Sequence, residues 1–118
     1  MNFINNGHKV AFNTCMSKSG VNLEDRERVS MFYILSGCDD LVNKGIYKFY
    51  DFNKNIIKPG SLRRDLCSSS KSMVKLAFHL YNGNHKNLSI MDIIQPLDKS
   101  NRVITLNAIA IDLKWKGL

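Results

Sequence analysis

The sequence predicts a single, mainly helical domain with a small β-hairpin near residues 46–58, and three observations support this fold class. The chain of 118 residues has the usual size of one domain, about 100 to 150 residues. Hydrophobic residues make up 44% and charged residues 23% of the chain, as in ordinary globular proteins. Most segments carry apolar residues at helical spacing, from which we expect about five helices packed into one compact domain over residues 1–118.

Two helices and a short helical turn are predicted in the first part of the chain. Residues 7–17 place their apolar side chains on one stripe, which predicts an amphipathic helix. A second helix is expected to begin at Asn22, a suitable N-cap, and to end at Gly37. Because residues 29–35 are apolar nearly all round, we expect this second helix to be the buried centre of the fold. Residues 38–45 are expected to form a short helical turn.

An aromatic stretch in the middle of the chain predicts the hairpin. Aromatic and β-branched residues over 46–52 are typical of a strand. An asparagine-rich turn at 53–55, the pair Ile56-Ile57 and a Pro-Gly pair then complete the hairpin and end it. At least one aromatic residue of the first strand is expected at the surface, where it could stack on a base. These aromatic residues are Tyr47, Phe49, Tyr50 and Phe52.

The second half of the chain begins with a turn and two helices. Residues 61–66 are expected to make one helical turn. The clearest helix of the sequence covers residues 71–82, where apolar side chains recur at helical spacing, and Gly83 supplies its end. Ser89 begins a short helix that stops near Pro96.

The segment after Ser100 fits two patterns. As a helix capped by Ser100, it runs through Leu113. As a strand, it begins near residue 108, since apolar and polar residues alternate from there to Trp115. We favour the helix because the segment is long and capped. Its predicted core face comprises Val103, Leu106, Ala110 and Leu113.

The apolar faces of these helices define the predicted core, and an ion pair is expected beside it. Asp25 and Arg28 lie three residues apart, just before the buried part of the second helix. If Arg28 also bridges to Asp51 or to a backbone carbonyl, its loss costs more than the loss of a surface pair, which is worth about 0 to 1 kcal/mol. The predicted core comprises Phe12, Val29, Phe32, Ile34, Leu35, Leu76, Ala77, Leu80, Ile94, Leu106 and Ile109.

The chain is basic, with 17 Lys and Arg against 10 Asp and Glu and a formal net charge of +7. Such a charge speeds association with acidic partners and favours phosphate backbones. A helix over 71–82 carries Lys71, Lys75 and His79 on its outer face. The alternative interpretation is that the lysines only keep the protein in solution. The candidate nucleic-acid-binding residues are Lys54, Lys58, Arg63, Arg64, Lys71 and Lys75.

No motif in the sequence indicates a catalytic residue, a metal or a cofactor. Cys15, Cys38 and Cys67 lie far apart without a C-x-x-C motif, and we expect them to be free thiols in a reducing cytoplasm. No two Cys or His residues have the spacing of structural zinc ligands. An enzyme would be indicated by a concave pocket that holds His8 or His79 beside a carboxylate or a cysteine.

The sequence predicts no association with a membrane. The longest purely apolar run, Met31–Leu35, is too short for a transmembrane helix. The first residues lack the basic and apolar regions of a signal peptide. We therefore expect a cytoplasmic protein, and the sequence does not indicate its oligomeric state.

A series of short segments stands out along the chain: His8, Asp25-x-x-Arg28, Phe32-Tyr33-Ile34-Leu35-Ser36-Gly37, Tyr50-Asp51-Phe52, Leu76-Ala77-Phe78-x-Leu80-Tyr81-Asn82, Leu97-Asp98 and Ala108-Ile109. In this order they resemble a family of small uncharacterised proteins from low-GC Gram-positive bacteria and their phages. The similarity extends from about residue 8 to residue 113, and it consists of core-like residues rather than a catalytic motif. The resemblance implies a phage or prophage accessory protein in the host cytoplasm, with no functional residue to carry over. The chain is more basic than that family, which weakens nucleic-acid binding as a family property.

Three functions follow as hypotheses. The first is a non-enzymatic accessory protein that binds a host or phage protein, because the sequence has no catalytic motif and resembles phage proteins. The second is a small basic nucleic-acid-binding module, for which binding should weaken steeply with salt. The third is an unrecognised enzyme, which the pocket described above would indicate.

Overall fold

Six α-helices and one two-stranded antiparallel sheet make up the part of the chain that the structure describes. This structure, a computed structural model, describes residues 1–63, 65–83 and 89–115, with the backbone alone at 63, 114 and 115. Short 3-10 turns, Ile46–Lys48 and Pro59–Arg63, flank the sheet. The elements are α1 (Asn6–Ser19), α2 (Arg26–Gly37), α3 (Asp39–Lys44), β1 (Tyr50–Asp51), β2 (Ile56–Ile57), α4 (Ser68–Asn82), α5 (Ile90–Ile94) and α6 (Lys99–Trp115).

Helix α2 is the centre of the fold, as its sequence predicts. Every residue from Val29 to Gly37 is buried. Helices α1, α4 and α6 pack around it, and the described residues form one compact globule. A helix can be buried on all sides when nearly all of its side chains are apolar. The two serines in this stretch, Ser30 and Ser36, donate their hydroxyl protons to backbone carbonyls one turn earlier.

The beginning of α2 differs from the prediction. The helix starts at Arg26 and its N-cap is Asp25, whose Oδ1 accepts a hydrogen bond from the Arg28 backbone N–H at 3.3 Å. Asn22 instead accepts from the Glu24 N–H within the preceding turn. Asp and Asn both accept hydrogen bonds from free N–H groups, so Asp25, which the prediction places inside the helix, can serve as the cap three residues after Asn22.

The predicted ion pair between Asp25 and Arg28 is confirmed, with 2.9 Å between Arg28 Nη1 and Asp25 Oδ2. Arg28 Nη2 donates to the backbone carbonyl of Asn55 and to the Tyr81 hydroxyl, both at 2.9 Å. Its Nε donates to the Tyr50 hydroxyl at 3.1 Å. One guanidinium therefore ties α2 to the hairpin and to α4, through a backbone carbonyl rather than through Asp51.

The hairpin is confirmed, but it is shorter than predicted. Tyr50 pairs with Ile57, and Asp51 pairs with Ile56. Residues 46–48 form a 3-10 turn instead of a strand. The turn follows Gly45, whose φ of 102° is one that other residues rarely adopt, and a Cβ there would clash with the Tyr47 ring.

The helices of the second half form where they are predicted, but α4 begins at Ser68 rather than at residue 71. The helical turn expected at residues 61–66 is a 3-10 turn over Pro59–Arg63. Gly83 ends α4 in the left-handed conformation with φ of 75°, and the Ser89 hydroxyl accepts from the Asp92 N–H at the start of α5. The last segment is helix α6, so the strand alternative is wrong. Its first turn is capped by Asp98, which accepts from the Asn101 N–H at 2.8 Å, rather than by Ser100.

The predicted core is largely confirmed, with one error in α6. Leu80, Ile94 and Ile109 are half-buried, while Leu106 is 68% exposed. The face of α6 that packs into the core carries Ile104 and Ala108 instead. The predicted core residues that are buried are Phe12, Val29, Phe32, Ile34, Leu35, Leu76 and Ala77.

None of the helices that the structure describes has both the length and the apolar character needed to cross a bilayer.

Candidate interaction surface

Helix α6 exposes an apolar stripe to solvent. Val103 is 42% exposed, Leu106 68% and Leu113 43%, and Ala110 is exposed as well. These residues lie at i, i+3, i+7 and i+10 and therefore share one face of the helix. The sequence predicts this face as the core side of α6, and the structure places it at the surface. We call these four residues the α6 stripe.

The opposite face of α6 is buried although it carries polar residues. Asn101 Nδ2 donates to the Ser69 hydroxyl at 2.8 Å, and the Thr105 hydroxyl lies 3.6 Å from Met73 Sδ. Buried polar groups are tolerated when they are hydrogen-bonded. Because these partners come from α4, only the tertiary structure shows that this face of α6 can be buried.

A groove of about 280 Å³ lies next to the α6 stripe, between α4, α5 and α6. Leu113 belongs to both the stripe and the groove. Ile90, which is 71% exposed, forms the opposite rim, and Met91 beside it is 63% exposed. The apolar lining also includes Leu76, Leu80, Ile93, Ile94 and Ile109. Stripe, groove and α5 together form one apolar surface, the α5–α6 surface.

The groove of the α5–α6 surface also holds the residue types that would indicate an enzyme. His79 and Asp112 both line it, with Thr105. No cysteine or serine is among its described lining residues, and the Thr105 hydroxyl is engaged by Met73. The largely apolar lining is suited to binding apolar side chains.

His8, the other candidate of the enzyme hypothesis, has a structural role. Its side chain is buried, Nε2 donates to the Tyr33 carbonyl at 2.9 Å, and Nδ1 accepts from the Ile4 N–H at 3.3 Å. The Phe3 ring lies edge-on at 5.0 Å between centroids. Burial lowers the pKa of His8, so the neutral imidazole is the form that these two hydrogen bonds hold.

The first turn of α6 is basic. Lys99 and Arg102 are exposed, and each lies one turn before a residue of the α6 stripe. Among the described residues, the only ion pairs within 4.0 Å join Arg28 to Asp25 and Lys44 to Asp40. Lys99 and Arg102 therefore add positive charge to one end of the apolar surface.

The structure places the predicted nucleic-acid-binding residues in three different elements. Lys54 lies in the hairpin turn and Lys58 follows β2, and both are exposed. Lys71 and Lys75 lie one turn apart on the same face of α4, half-buried. The Arg63 backbone belongs to the 3-10 turn Pro59–Arg63, while its side chain and the whole of Arg64 lie outside the described residues. Only Lys71 and Lys75 are shown to share a face.

One predicted aromatic residue is at the surface. Tyr47 is 60% exposed, whereas Phe49 and Tyr50 are fully buried and Phe52 is half-buried. Tyr47 and Phe52 line a second apolar groove, of about 510 Å³, between α1 and residues 42–52. Tyr47 is thus available for stacking, and the other aromatic residues mainly fill the core.

Comparison with known proteins adds the family. A model described as a family of unknown function, DUF6075, matches residues 1–111. The chain belongs to the DUF6075 family. No curated protein and no solved structure is significantly similar to it. The expected membership of a family without an assigned activity is confirmed at this level, and the match covers nearly the same residues as the resemblance seen in the sequence.

The α6 stripe of this DUF6075 chain is the feature that sequence reasoning assigned wrongly. The segment has two apolar faces, one with Val103 and Leu106 and one with Ile104 and Ala108. An apolar helix with two such faces can bury only one against a single neighbouring layer. The presence of a second apolar face was therefore the available indication of an exposed surface.

Proposed function

We propose that this DUF6075 protein is a non-enzymatic accessory protein that acts by binding another protein through its α5–α6 surface. The observation that carries the proposal is the α6 stripe, a row of exposed apolar residues at the spacing by which one helix packs against another. The occupant is an amphipathic helix of the partner, with acidic residues flanking its apolar face.

The apolar contacts would provide most of the affinity. Burying a leucine side chain is worth roughly 1.5 to 3 kcal/mol, and Leu106 is two-thirds exposed in the free protein. Helices that bind in grooves use anchors at i, i+3, i+4 and i+7. The α6 stripe and the neighbouring groove offer contacts at this spacing.

Two exposed basic residues and the net charge of the chain favour an acidic partner, although the exposed Asp92 and Asp98 lie near the same surface. Lys99 and Arg102 flank the apolar surface without a carboxylate within 4.0 Å among the described residues. The net charge of +7 attracts acidic molecules over longer distances and raises their association rate. An acidic flank on the partner helix is therefore favoured over a basic one.

The resemblance to phage-associated proteins supports the cellular setting of this proposal. In that setting the protein is a phage or prophage accessory protein, its partner is a host or phage protein, and both meet in the host cytoplasm.

A pair of synthetic helical peptides tests the proposed function. The two peptides carry the same leucine face and differ in having glutamate or lysine flanks, and binding is followed by fluorescence anisotropy. The glutamate peptide should bind more tightly. Leu106→Ser should weaken it at least about fivefold, because truncating a central apolar contact costs more than about 1 kcal/mol. Leu23→Ser, at an exposed leucine outside the surface, is the matched control.

Equal effects of Leu106→Ser and Leu23→Ser would contradict the assignment of the surface. No preference between the two peptides would contradict the acidic partner. Sedimentation of the protein alone, at the concentrations used for binding, shows whether a second copy occupies the surface instead.

Nucleic-acid binding is the second candidate function, and one observation favours it. Lys54, Lys58, Lys71 and Lys75 have no carboxylate within 4.0 Å among the described residues. Lys54 and Lys58 lie near enough to Asp51 for their charges to act on its carboxylate, so Lys71 and Lys75 are the two lysines whose charges are more available to phosphates. Fluorescence anisotropy of labelled single- and double-stranded DNA at about 50 and 200 mM salt measures how strongly these phosphate contacts contribute to binding.

The lysine variants localise any DNA binding. Lys71→Gln with Lys75→Gln should flatten the log-log salt dependence by about 0.7 to 0.9 for each phosphate contact that is lost. Lys9→Gln with Lys18→Gln, two exposed lysines of α1, removes the same charge elsewhere. Equal slopes for the two double variants would leave only a general charge effect.

A further inference from the structure

Two of the three cysteines meet at a single serine hydroxyl. Cys38 precedes α3 and Cys67 precedes α4. Ser70 Oγ lies 3.9 Å from Cys38 Sγ and 3.2 Å from Cys67 Sγ. Both sulfur atoms therefore border the same oxygen atom, although the two residues are far apart in the sequence. Cys15 is not part of this group and lies in α1.

The two thiols differ in their access to solvent. Cys67 is exposed, and Cys38 is 3% exposed. A small oxidant in solution can reach the first sulfur but not the second. An exposed cysteine with a buried neighbouring cysteine is the arrangement of an attacking thiol and a resolving thiol.

A short hydrogen-bond chain continues from the thiols to a charged pair. The Ser70 hydroxyl donates to Asp40 Oδ2 at 2.6 Å, and Lys44 Nζ donates to Asp40 Oδ1 at 2.6 Å. With its proton directed to Asp40, Ser70 Oγ accepts from the Cys67 thiol. When Cys67 ionises, the same hydroxyl can turn and donate to the thiolate, while Lys44 continues to balance the charge of Asp40.

The surroundings favour the thiolate at Cys67 and the thiol at Cys38. Hydrogen bonding to the Ser70 side chain lowers the pKa of Cys67, which also lies at the positive N-terminal end of α4. Burial raises the pKa of Cys38. Cys67 is thus the more nucleophilic sulfur at neutral pH.

We propose that Cys67 and Cys38 form a redox-active dithiol site, which a hydroperoxide oxidises to an intramolecular disulfide bond. The geometry carries this proposal, since an exposed thiol and a buried thiol both border the Ser70 hydroxyl, which donates its own hydrogen bond to Asp40. The site is separate from the α5–α6 surface and does not depend on the proposed function.

The reaction balances in two steps. The Cys67 thiolate attacks one oxygen of the hydroperoxide, an S–O bond forms, the O–O bond breaks, and the departing oxygen takes up a proton to leave as water or an alcohol. Cys67 is then a sulfenic acid, oxidised by two electrons. Cys38 Sγ attacks Cys67 Sγ, the S–S bond forms, and the S–O bond breaks to release hydroxide, which takes the Cys38 proton and leaves as water.

Closing the disulfide requires a local movement. A disulfide brings its sulfur atoms to about 2.05 Å, so the two sulfur atoms that now border the Ser70 hydroxyl must approach each other, and Cys67 must give up its hydrogen bond to Ser70. The side chain of Cys67 is exposed and can rotate toward Cys38. The product would link the start of α3 covalently to the start of α4.

Peroxide treatment of the reduced full-length protein tests the proposal. After oxidation with equimolar hydrogen peroxide, free thiols are alkylated under denaturing conditions and the peptides are mapped by mass spectrometry. A peptide containing Cys38 joined to Cys67, with Cys15 fully alkylated, is the expected result. Two results would overturn the proposal. In the first, all three cysteines are recovered in alkylated form; in the second, Cys67 is oxidised while Cys38 is still alkylated. A disulfide formed with oxidised glutathione but not with peroxide would overturn the choice of oxidant.

Variants separate the role of each cysteine. Cys15→Ala should oxidise like the original protein, because burial raises the pKa of Cys15 to about 12 and leaves it unreactive. Cys38→Ala should stop at the sulfenic acid or proceed to higher oxides of Cys67. A further measurement uses the original protein, so that no substitution can disturb folding. In it, Cys67 should react with a thiol reagent at least about tenfold faster than either other cysteine. Equal rates for the three would also contradict the site.

Discussion

Helices α2 and α6 pack against each other, yet they use their apolar residues in different ways. Helix α2 is buried from Val29 to Gly37, on every side. Helix α6 buries a face on which Ile104 and Ala108 lie beside the polar residues Asn101 and Thr105, and it exposes the α6 stripe. The difference shows that apolar character determines which faces can be buried, while the neighbouring elements decide which face is buried.

The largest effect is expected in α2. Phe32 is fully buried and its ring lies edge-on to Tyr50, with 5.0 Å between centroids. Phe32→Ala should lower the free energy of unfolding by about 3 to 5 kcal/mol, because it removes a large side chain and leaves a cavity. Chemical denaturation followed by circular dichroism measures the change. An unchanged midpoint would mean that α2 is not the centre of the core.

The contact between α2 and α6 should tolerate no extra atoms. A Cβ at Gly37 would lie 2.8 Å from Ile104 Cδ1 and 3.0 Å from His8 Nε2. Gly37→Ala should therefore cost about 1 to 3 kcal/mol through overpacking. Gly60→Ala is the matched control, since a Cβ there meets no atom within 4 Å. Equal unfolding midpoints for the two variants would show that α2 and α6 are less tightly packed at this position.

Acid should weaken the packing of α1 on α2 through His8. Burial lowers the pKa of His8 below its ordinary value of 6.5, and the charge of Asp39 only partly opposes this. The unfolded chain then takes up a proton at this residue before the folded protein does. Stability is fully present above pH 6.5 and falls as the pH drops below it, by at most about 1.4 kcal/mol per pH unit for one group.

Thermal unfolding at pH 7.5 and 5.5 measures this dependence on His8. The interval lies above the pH at which the carboxylates of Asp40 and Asp51, with their lowered pKa values, take up protons. His8→Gln should reduce the loss between the two pH values. The same loss in His8→Gln as in the original protein would assign the effect to other groups.

The smallest effect on stability is expected on the α6 stripe. Leu106→Ser changes a largely exposed side chain and should alter the free energy of unfolding by no more than about 0.5 kcal/mol. The same denaturation experiment that measures Phe32→Ala checks this value. A loss above about 2 kcal/mol would mean that Leu106 is covered in solution by another part of the chain or by a second copy.

Local patterns in the sequence predicted most of the fold. The helix over residues 71–82, its end at Gly83 and the short helix after Ser89 depend on interactions within a few residues, which the sequence displays directly. The predicted cap of α2, Asn22, is wrong and Asp25 takes this role; a local pattern does not distinguish the two residues, because both can accept a backbone hydrogen bond.

The functional features depended on contacts that the sequence does not display. The buried face of α6 needed hydrogen-bond partners on α4, and Cys38 and Cys67 contact the same Ser70 hydroxyl only because the fold brings the start of α3 to the start of α4. The candidate nucleic-acid-binding residues were selected for their proximity in sequence, and those that the structure describes lie in three elements, with only Lys71 and Lys75 on one shared face. Residue types can be identified from a sequence, but the distances between remote residues come from the fold.

The hydrogen bonds of Arg28 have a consequence for the motions of the protein. A two-stranded sheet is marginally stable by itself, and Arg28 holds this one by the Asn55 carbonyl and the Tyr50 hydroxyl. The Asn55 side chain also donates to the Ser19 carbonyl at the end of α1. The hairpin should therefore open as a unit, at a lower free energy than global unfolding, and the backbone amides of β1 and β2 should exchange with solvent deuterium before those of α2.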